Sequence, residues 1–212
     1  PIEGSFDVYE FFTEVDVPLI TNKPGIESLS FSGAFRMSDY STIGNAQTYA
    51  AGLGWEPVED LRFRTQYNRA VRAPNVSDLF APATNGFPGA QDPCSSGLGS
   101  FDSGVITANC VATGVPAAAV GTPFQSNAQI EALFGGNSNV SEEVADTFTV
   151  GAVWQPNFIN GLTLQVDYYQ IEIEDAIATP SLQNLLDECY RQDIQASCSF
   201  FSGARNPSTG EM

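Results

Sequence analysis

The 212-residue chain carries 25 acidic and eight basic residues, a net charge of −17, and no histidine. That balance excludes the basic footprint of a nucleic-acid binder and the polybasic patch that docks on anionic membranes. It also removes the commonest general base and transition-metal ligand.

No run of 18 apolar residues exists, so no helix of this sequence is expected to span a membrane. A β-barrel is still open, because its alternating strands keep mean hydropathy low. The sequence begins at Pro1-Ile2-Glu3 and closes at Thr209-Gly210-Glu211-Met212, and is read as a piece of a longer protein.

Six long strands are predicted in chain order. The first covers about 6–17, with Phe11, Thr13, Val15 and Val17 opposing Glu10, Glu14 and Asp16. Residues 18–25 are expected to turn. The second covers 26–38, with Leu29, Phe31, Gly33 and Phe35 on one face and Ser28, Ser30, Ser32, Ala34 and Arg36 on the other. After a connection at 39–46 comes the third, 47–55, ending on Trp55.

The fourth, 61–72, alternates most clearly. Leu61, Phe63, Thr65, Tyr67 and Val71 share a face that Arg69 interrupts. Arg62, Arg64, Gln66, Asn68, Ala70 and Arg72 share the other. Arg69 is expected near the strand's upper end, above the apolar residues. The fifth strand covers 145–154 and the sixth 162–174. In the sixth the alternation flips beyond Tyr169, where Ile171 and Ile173 fall on the formerly polar face. Either a bulge or a strand leaving an apolar band would do that.

Two stretches are built alike: Gly52-Leu53-Gly54-Trp55-Glu56-Pro57 and Gly151-Ala152-Val153-Trp154-Gln155-Pro156. Each is a strand ending in Trp-x-Pro and a turn back. Trp favours a membrane–water interface, and Pro ends a ladder. Both Trp are expected at one edge, on one face. Two soluble hairpins around a Trp core would leave the same trace. The connections 57–60 and 157–161 are short, while 73–140 and the segment from 178 onward are long. That asymmetry fits an outer-membrane barrel. Short helices are predicted at 127–134 and 181–194, the latter with Ser181 as N-cap.

The cysteines fall as two local pairs, Cys94/Cys110 and Cys189/Cys198. Neither has zinc-finger spacing, so disulfides in an oxidising compartment are the preferred reading over free thiols. Paired acids such as Glu142/Glu143 and Glu172/Glu174/Asp175 lack the oxygen-rich loop of a calcium site and read as solvated rim charges. No Ser or Cys has a His base, so an enzyme is not expected, nor a cofactor or a metal.

Several runs resemble the TonB-dependent outer-membrane receptors. They are Arg36-Met37-Ser38-Asp39-Tyr40-Ser41, the first Trp-x-Pro run, Leu61-Arg62-Phe63-Arg64, and Tyr67-Asn68-Arg69-Ala70-Val71-Arg72-Ala73-Pro74-Asn75 with Leu79-Phe80. Glu10, Glu14, Pro18-Leu19, Asp92-Pro93-Cys94, Asn109-Cys110, Arg205-Asn206-Pro207 and Thr209-Gly210 add to the resemblance. It implies a 22-stranded barrel filled by an N-terminal plug. Residues 1–212 would be about six of those strands from its middle or later part. The fold expected is therefore all-β: an antiparallel up-and-down meander, a partial transmembrane β-barrel with long extracellular loops at about 73–140 and 178–212. Plug, TonB-contacting segment and closing C-terminal strand are absent from this sequence.

The implied function is active uptake of a large scarce solute (siderophore, vitamin, oligosaccharide or peptide) across a Gram-negative outer membrane. The implied partners are outer-membrane lipid, the plug and remaining strands, TonB through the plug, and the solute. A secreted all-β binding or adhesion domain is the alternative. Candidate ligand contacts are Arg36, Arg62, Arg64 and Arg72 in the lumen and the loop aromatics Phe87, Phe101 and Phe124. The preferred reading of the arginines is as partners of plug or wall acids, while the rings serve equally as loop packing.

Overall fold

The computed structural model describes residues 3–99 and 101–212. These divide into two compact units. The first comprises Pro1–Ala81 and Gly136–Ile177, the second Pro82–Gly135 and Ala178–Met212.

The first unit is one antiparallel sheet. Its strands are β1 (Val8–Lys23), β2 (Ile26–Tyr40), β3 (Gly44–Val58) and β4 (Leu61–Arg72). A short helix α1 (Val76–Phe80) follows. Asn75 caps it by accepting from the backbone of Ser77 and Asp78, and Asp78 returns a bond to the Asn75 N–H. In the second unit come β5 (Thr84–Gly86), α2 (Thr107–Ala112) and β6 (Ala132–Phe134). The sheet resumes with β7 (Glu143–Trp154) and β8 (Leu164–Glu174), followed by α3 (Leu182–Arg191), α4 (Gln195–Cys198), a 3₁₀ turn (Ser199–Phe201) and an irregular segment to Met212. The sheet order is β1-β2-β3-β4-β7-β8, an open meander in sequence order, as expected.

Four sequence expectations are corrected. Residues 18–25 are not a turn: β1 runs on to Lys23 and only Pro24-Gly25 reverses the chain. Pro18 is tolerated because the ladder to β2 is interrupted there, a bulge lying between Pro18 and Ile20. The connection at 39–46 shrinks to Ser41–Ile43, since β2 and β3 pair out to Tyr40↔Gly44. The helix predicted at 127–134 is instead an extended segment ending in β6, which pairs with β5. The sixth strand starts at Leu164 and pairs with β7 in unbroken register to Glu174. The flip after Tyr169 is therefore no bulge but a change in what each face meets.

Both Trp lie at one edge of the sheet, on its apolar face. Trp55 stacks on Phe63 at 5.4 Å and donates from Nε1 to the Gly25 carbonyl at 3.2 Å. Trp154 packs on Phe158. The two like turns are tied together, the Gln155 N–H donating to the Asp60 carbonyl at 2.8 Å and the Asn157 N–H to the Asp60 carboxylate at 3.0 Å.

The pairing sets the apolar face out in rows, such as Phe31–Leu53–Thr65–Val150–Tyr168. Away from the Trp edge, the apolar run ends at Phe11 and Met37 on β1 and β2, and at Tyr49 on β3. It ends at Tyr67 and Phe148 on β4 and β7, and at Tyr168 on β8. The boundary thus slips by the distance from Met37 back to Phe31, about 20 Å at the usual ~3.3 Å per residue. It does so over the width of the sheet, five strand spacings of about 4.8 Å. The strands are then inclined by about 40° to the normal of the apolar band, the tilt of strands to the axis in membrane barrels. Most large side chains of this face are exposed within the chain, among them Phe11, Leu53, Phe148, Val166 and Tyr168. A soluble sandwich would bury them under a second sheet.

The second unit has a conventional core. It gathers Ala90, Val105, Val115, Ile130, Leu186, Tyr190 and Phe201 around all four cysteines. In α3, Leu182, Leu185, Leu186, Cys189 and Tyr190 share a face at helical spacing, and the Ser181 hydroxyl accepts the Asn184 N–H at 3.1 Å.

Candidate functional site

The polar face of the sheet places the predicted arginines in one field, each engaged by a neighbour. Arg64 donates twice to Asp167, at 2.7 and 3.2 Å. The pair reaches across β7 at Gly151, where a Cβ would fall on the Asp167 carboxylate and 3.2 Å from Arg64 Nε. Glycine there is a clearance requirement. Arg62 pairs with Glu56 at 3.4 Å. Arg72 pairs with Glu143 and Asp78 at 3.4 and 3.5 Å and donates to the Ile177 carbonyl at 3.2 Å. The Arg36 guanidinium lies 5.7 Å from the Phe12 ring centroid. Half-exposed pairs of this kind contribute at most about 1 kcal/mol each in water. Their consequence is that wall cations are matched by wall acids.

The same face has a floor of short side chains. Ser32, Ala34, Ala50 and Gly52 sit side by side in the ladder, and Glu14, Asp16 and Gln66 flank them. The recess above has a volume of about 400 Å³.

On the apolar face, Arg69 lies where the apolar run of β4 ends. It makes two bonds to Asp146, at 2.9 and 2.6 Å, and the Tyr67 hydroxyl donates to the same carboxylate at 2.7 Å. Tyr49 lies beside the guanidinium at 5.9 Å. Arg69 is thus a paired charge among tyrosines at the end of the band.

In the second unit the two long segments fold together. Disulfides join Cys94 to Cys110 and Cys189 to Cys198, each within its own segment. Besides the shared apolar core, buried polar groups join the segments. Arg205 makes two bonds to Asp92 and one each to the Gly210 carbonyl and the Tyr190 hydroxyl. Tyr190 in turn shares a hydrogen bond with Thr113 at 2.9 Å. The Asn109 amide donates to the Cys189 carbonyl and to Asp193. Gln125 accepts from the Asp92 N–H and donates to the carbonyls of Ala90 and Asn127.

Burial opposes the charge on Arg205, yet Asp92 beside it holds the guanidinium above its ordinary pKa. Burial pushes the Tyr190 phenol up, against the pull of the Arg205 cation. At the surface, hydrogen bonds from Arg191 and from the Gly104 N–H hold the Asp102 carboxyl below the usual carboxylate range.

The predicted aromatics separate. Phe87 is 57% exposed. Phe101 lies over Gly121, and Phe124 packs against the core. The Asp92–Arg205 pair escaped sequence reasoning, though both residues stand in runs already singled out there. The Asn85–Glu131 pair beside Phe87, joined at 2.6 Å, was missed too, because it needs the β5–β6 register. Among the described residues no group of His, Cys, Asp and Glu could hold a metal ion.

A family model described as TonB dependent receptor-like, beta-barrel, matches residues 2–209. The fold is similar to that of a mutant ferric enterobactin receptor (PfeA) from Pseudomonas aeruginosa, with a TM-score of 0.52 and 14% identity, over 79% of this chain and 18% of that one. It is also similar to the siderophore receptor PirA from Acinetobacter baumannii, with a TM-score of 0.51 and 13% identity, over 80% of this chain and 18% of that one. PirA from Pseudomonas aeruginosa gives a TM-score of 0.50 and 15% identity, over 79% and 24%. The chain therefore spans a quarter or less of the length of these receptors.

Proposed function

The chain belongs to the TonB-dependent receptor-like β-barrel family, a family of transport receptors of the Gram-negative outer membrane, and from that membership we propose that it forms part of the wall and external entrance of a receptor for active solute uptake. The single observation that carries the reading is the slanted apolar band. One face of the sheet is apolar along a strip whose normal makes about 40° with the strands, as lipid requires of a tilted barrel wall. The other face is polar with its cations matched by acids, as a wetted or filled lumen requires.

In this reading residues 1–212 are one stretch of barrel, with 73–140 and 178–212 as extracellular segments. β1 and β8 pair with further strands of the same barrel, since an open edge in lipid leaves backbone groups unsatisfied. A plug fills the lumen and couples the receptor to TonB. The imported solute is large and scarce. Arg36, Arg62, Arg64 and Arg72 serve the wall as partners of acids, and Phe87 is the loop aromatic best presented to a ligand.

The test is made on the full-length protein. It should require detergent, insert into outer-membrane vesicles, and support solute accumulation that stops when TonB is deleted. A full-length protein that is soluble and monomeric without detergent would overturn the proposal.

A further inference from the structure

β5 and β6 form a two-stranded ribbon whose register continues to the bridge Gly89↔Gln129. Side chains alternate across it. One face turns inward, where Ile130 is 3% exposed. The other carries Asn85, Phe87, Glu131 and Leu133, all exposed. Phe87 is 57% and Leu133 70% exposed, although a solvent face of a ribbon would ordinarily be polar. Between them Asn85 Nδ2 donates to Glu131 Oε1 at 2.6 Å. The Gln129 amide donates to the Phe87 carbonyl at 3.1 Å and steadies the backbone under the ring.

We infer that this face captures a neutral, polyhydroxylated solute, an oligosaccharide. The inference rests on the transport reading above and names its substrate class. A pyranose ring has a face of axial C–H groups and an edge of hydroxyls. The exposed Phe87 ring offers the flat apolar surface that such a face packs on, and Leu133 widens it. The Asn85–Glu131 pair leaves one amide N–H, one amide carbonyl and one carboxylate oxygen free of that bond. Adjacent hydroxyls both donate and accept, so they match this set. The few polar groups fix orientation while the apolar flanks supply contact.

Charge selects among solutes. The second unit contains two basic residues, Arg191 and Arg205. Arg191 is held by Asp102 and Asp187, and Arg205 by Asp92. The ribbon itself presents a carboxylate. An anionic chelate would meet repulsion here without a cation to offset it, whereas a neutral sugar meets none.

The test uses the full-length receptor purified in detergent, with maltoheptaose, xylohexaose and laminarihexaose as probes in calorimetric titration. A ferric catecholate and a neutral peptide are the comparisons. At least one of the sugars should bind. Phe87→Ala and Asn85→Ala should each weaken that binding about tenfold or more, while Phe87→Trp should keep or tighten it. Near-ultraviolet circular dichroism should be unchanged in the two alanine variants, and all three variants should keep the heat-resistant gel mobility of the parent. The inference is overturned if none of the three sugars binds, if Phe87→Ala binds them as the parent does, or if that variant instead loses the catecholate or the peptide. TonB-dependent uptake that persists in such a case leaves the transport reading intact. Its absence for every solute sinks that reading instead.

Discussion

The two units of this chain are stable by opposite means. The sheet has almost no core of its own: β1 and β8 are exposed along their whole length, and the strands between them are mostly half-buried. The loop unit buries two disulfides, an ion pair and a tyrosine at 0% exposure. A barrel wall leaves its burial to lipid on one side and to whatever fills the lumen on the other, so its own residues need only alternate. An exposed loop unit has neither. It must supply an interior from a short sequence, and small units do that with covalent and polar staples. The difference teaches where each unit will fail.

The sharpest break in the comparison is Arg205→Met. It leaves the Asp92 carboxylate buried without its cation, which costs about 3–5 kcal/mol. The loop unit of the full-length receptor should become protease-sensitive while the heat-resistant mobility of the barrel on gels persists. If both melt together, the two units are not separate in the way described. Adding Asp92→Asn should recover part of the loss, since the double change removes the stranded charge.

On the other side of the comparison, Leu53→Arg puts a charge in the middle of the apolar band. It should cost about 2–4 kcal/mol of barrel stability in lipid and nothing in the loop unit. Tryptophan fluorescence during urea unfolding in bilayers measures the first, and proteolysis the second. A neutral outcome would mean that this face does not meet lipid.

Cys189→Ser with Cys198→Ser opens a loop of sequence separation 9. The chain-entropy model puts the loss at about 2.5 kcal/mol, confined to the loop unit. Reductant on the parent protein, which opens both disulfides of the loop unit, should cost at least as much without altering the barrel's gel mobility.

Gly151→Ala sets a methyl group where the Arg64–Asp167 pair crosses β7. Breaking that half-exposed pair should cost about 1 kcal/mol. Asp167→Ala in the same background should restore most of it. A penalty that persists would place the strain in the ladder.

The smallest effect is acid loosening around Asp102. Its carboxyl is held below the ordinary 3.8 by Arg191 and the Gly104 N–H. The contribution is full above that ordinary value and is lost as pH falls through the lower folded one. Hydrogen exchange at Gly104 should therefore quicken only at pH below the usual carboxylate range, and Asp102→Asn should flatten the profile.

The sheet was legible in the sequence wherever a local rule governs. Period-2 alternation located all six strands, and Trp-x-Pro located two turns at one edge. Ser181 marked the start of α3. Local rules misled at Pro18, where a bulge absorbs a residue that ends strands elsewhere, and at 127–134, where pairing with β5 outweighs helical spacing. The candidate arginines were legible as a polar row, but not their partners.

Sequence alone determined the identity and order of the strands, because alternation is written residue by residue and every strand pairs with its sequence neighbour in the sheet. Only the tertiary structure decided that Arg64 meets Asp167 across 103 residues and that Arg205 meets Asp92 across 113. It alone brought Asn85 and Glu131 together beside Phe87. These contacts depend on ladder register and on how two long segments close on each other. A charge or an amide in a loop carries no periodic mark of its partner, and the partner exists only once the chain between them has folded.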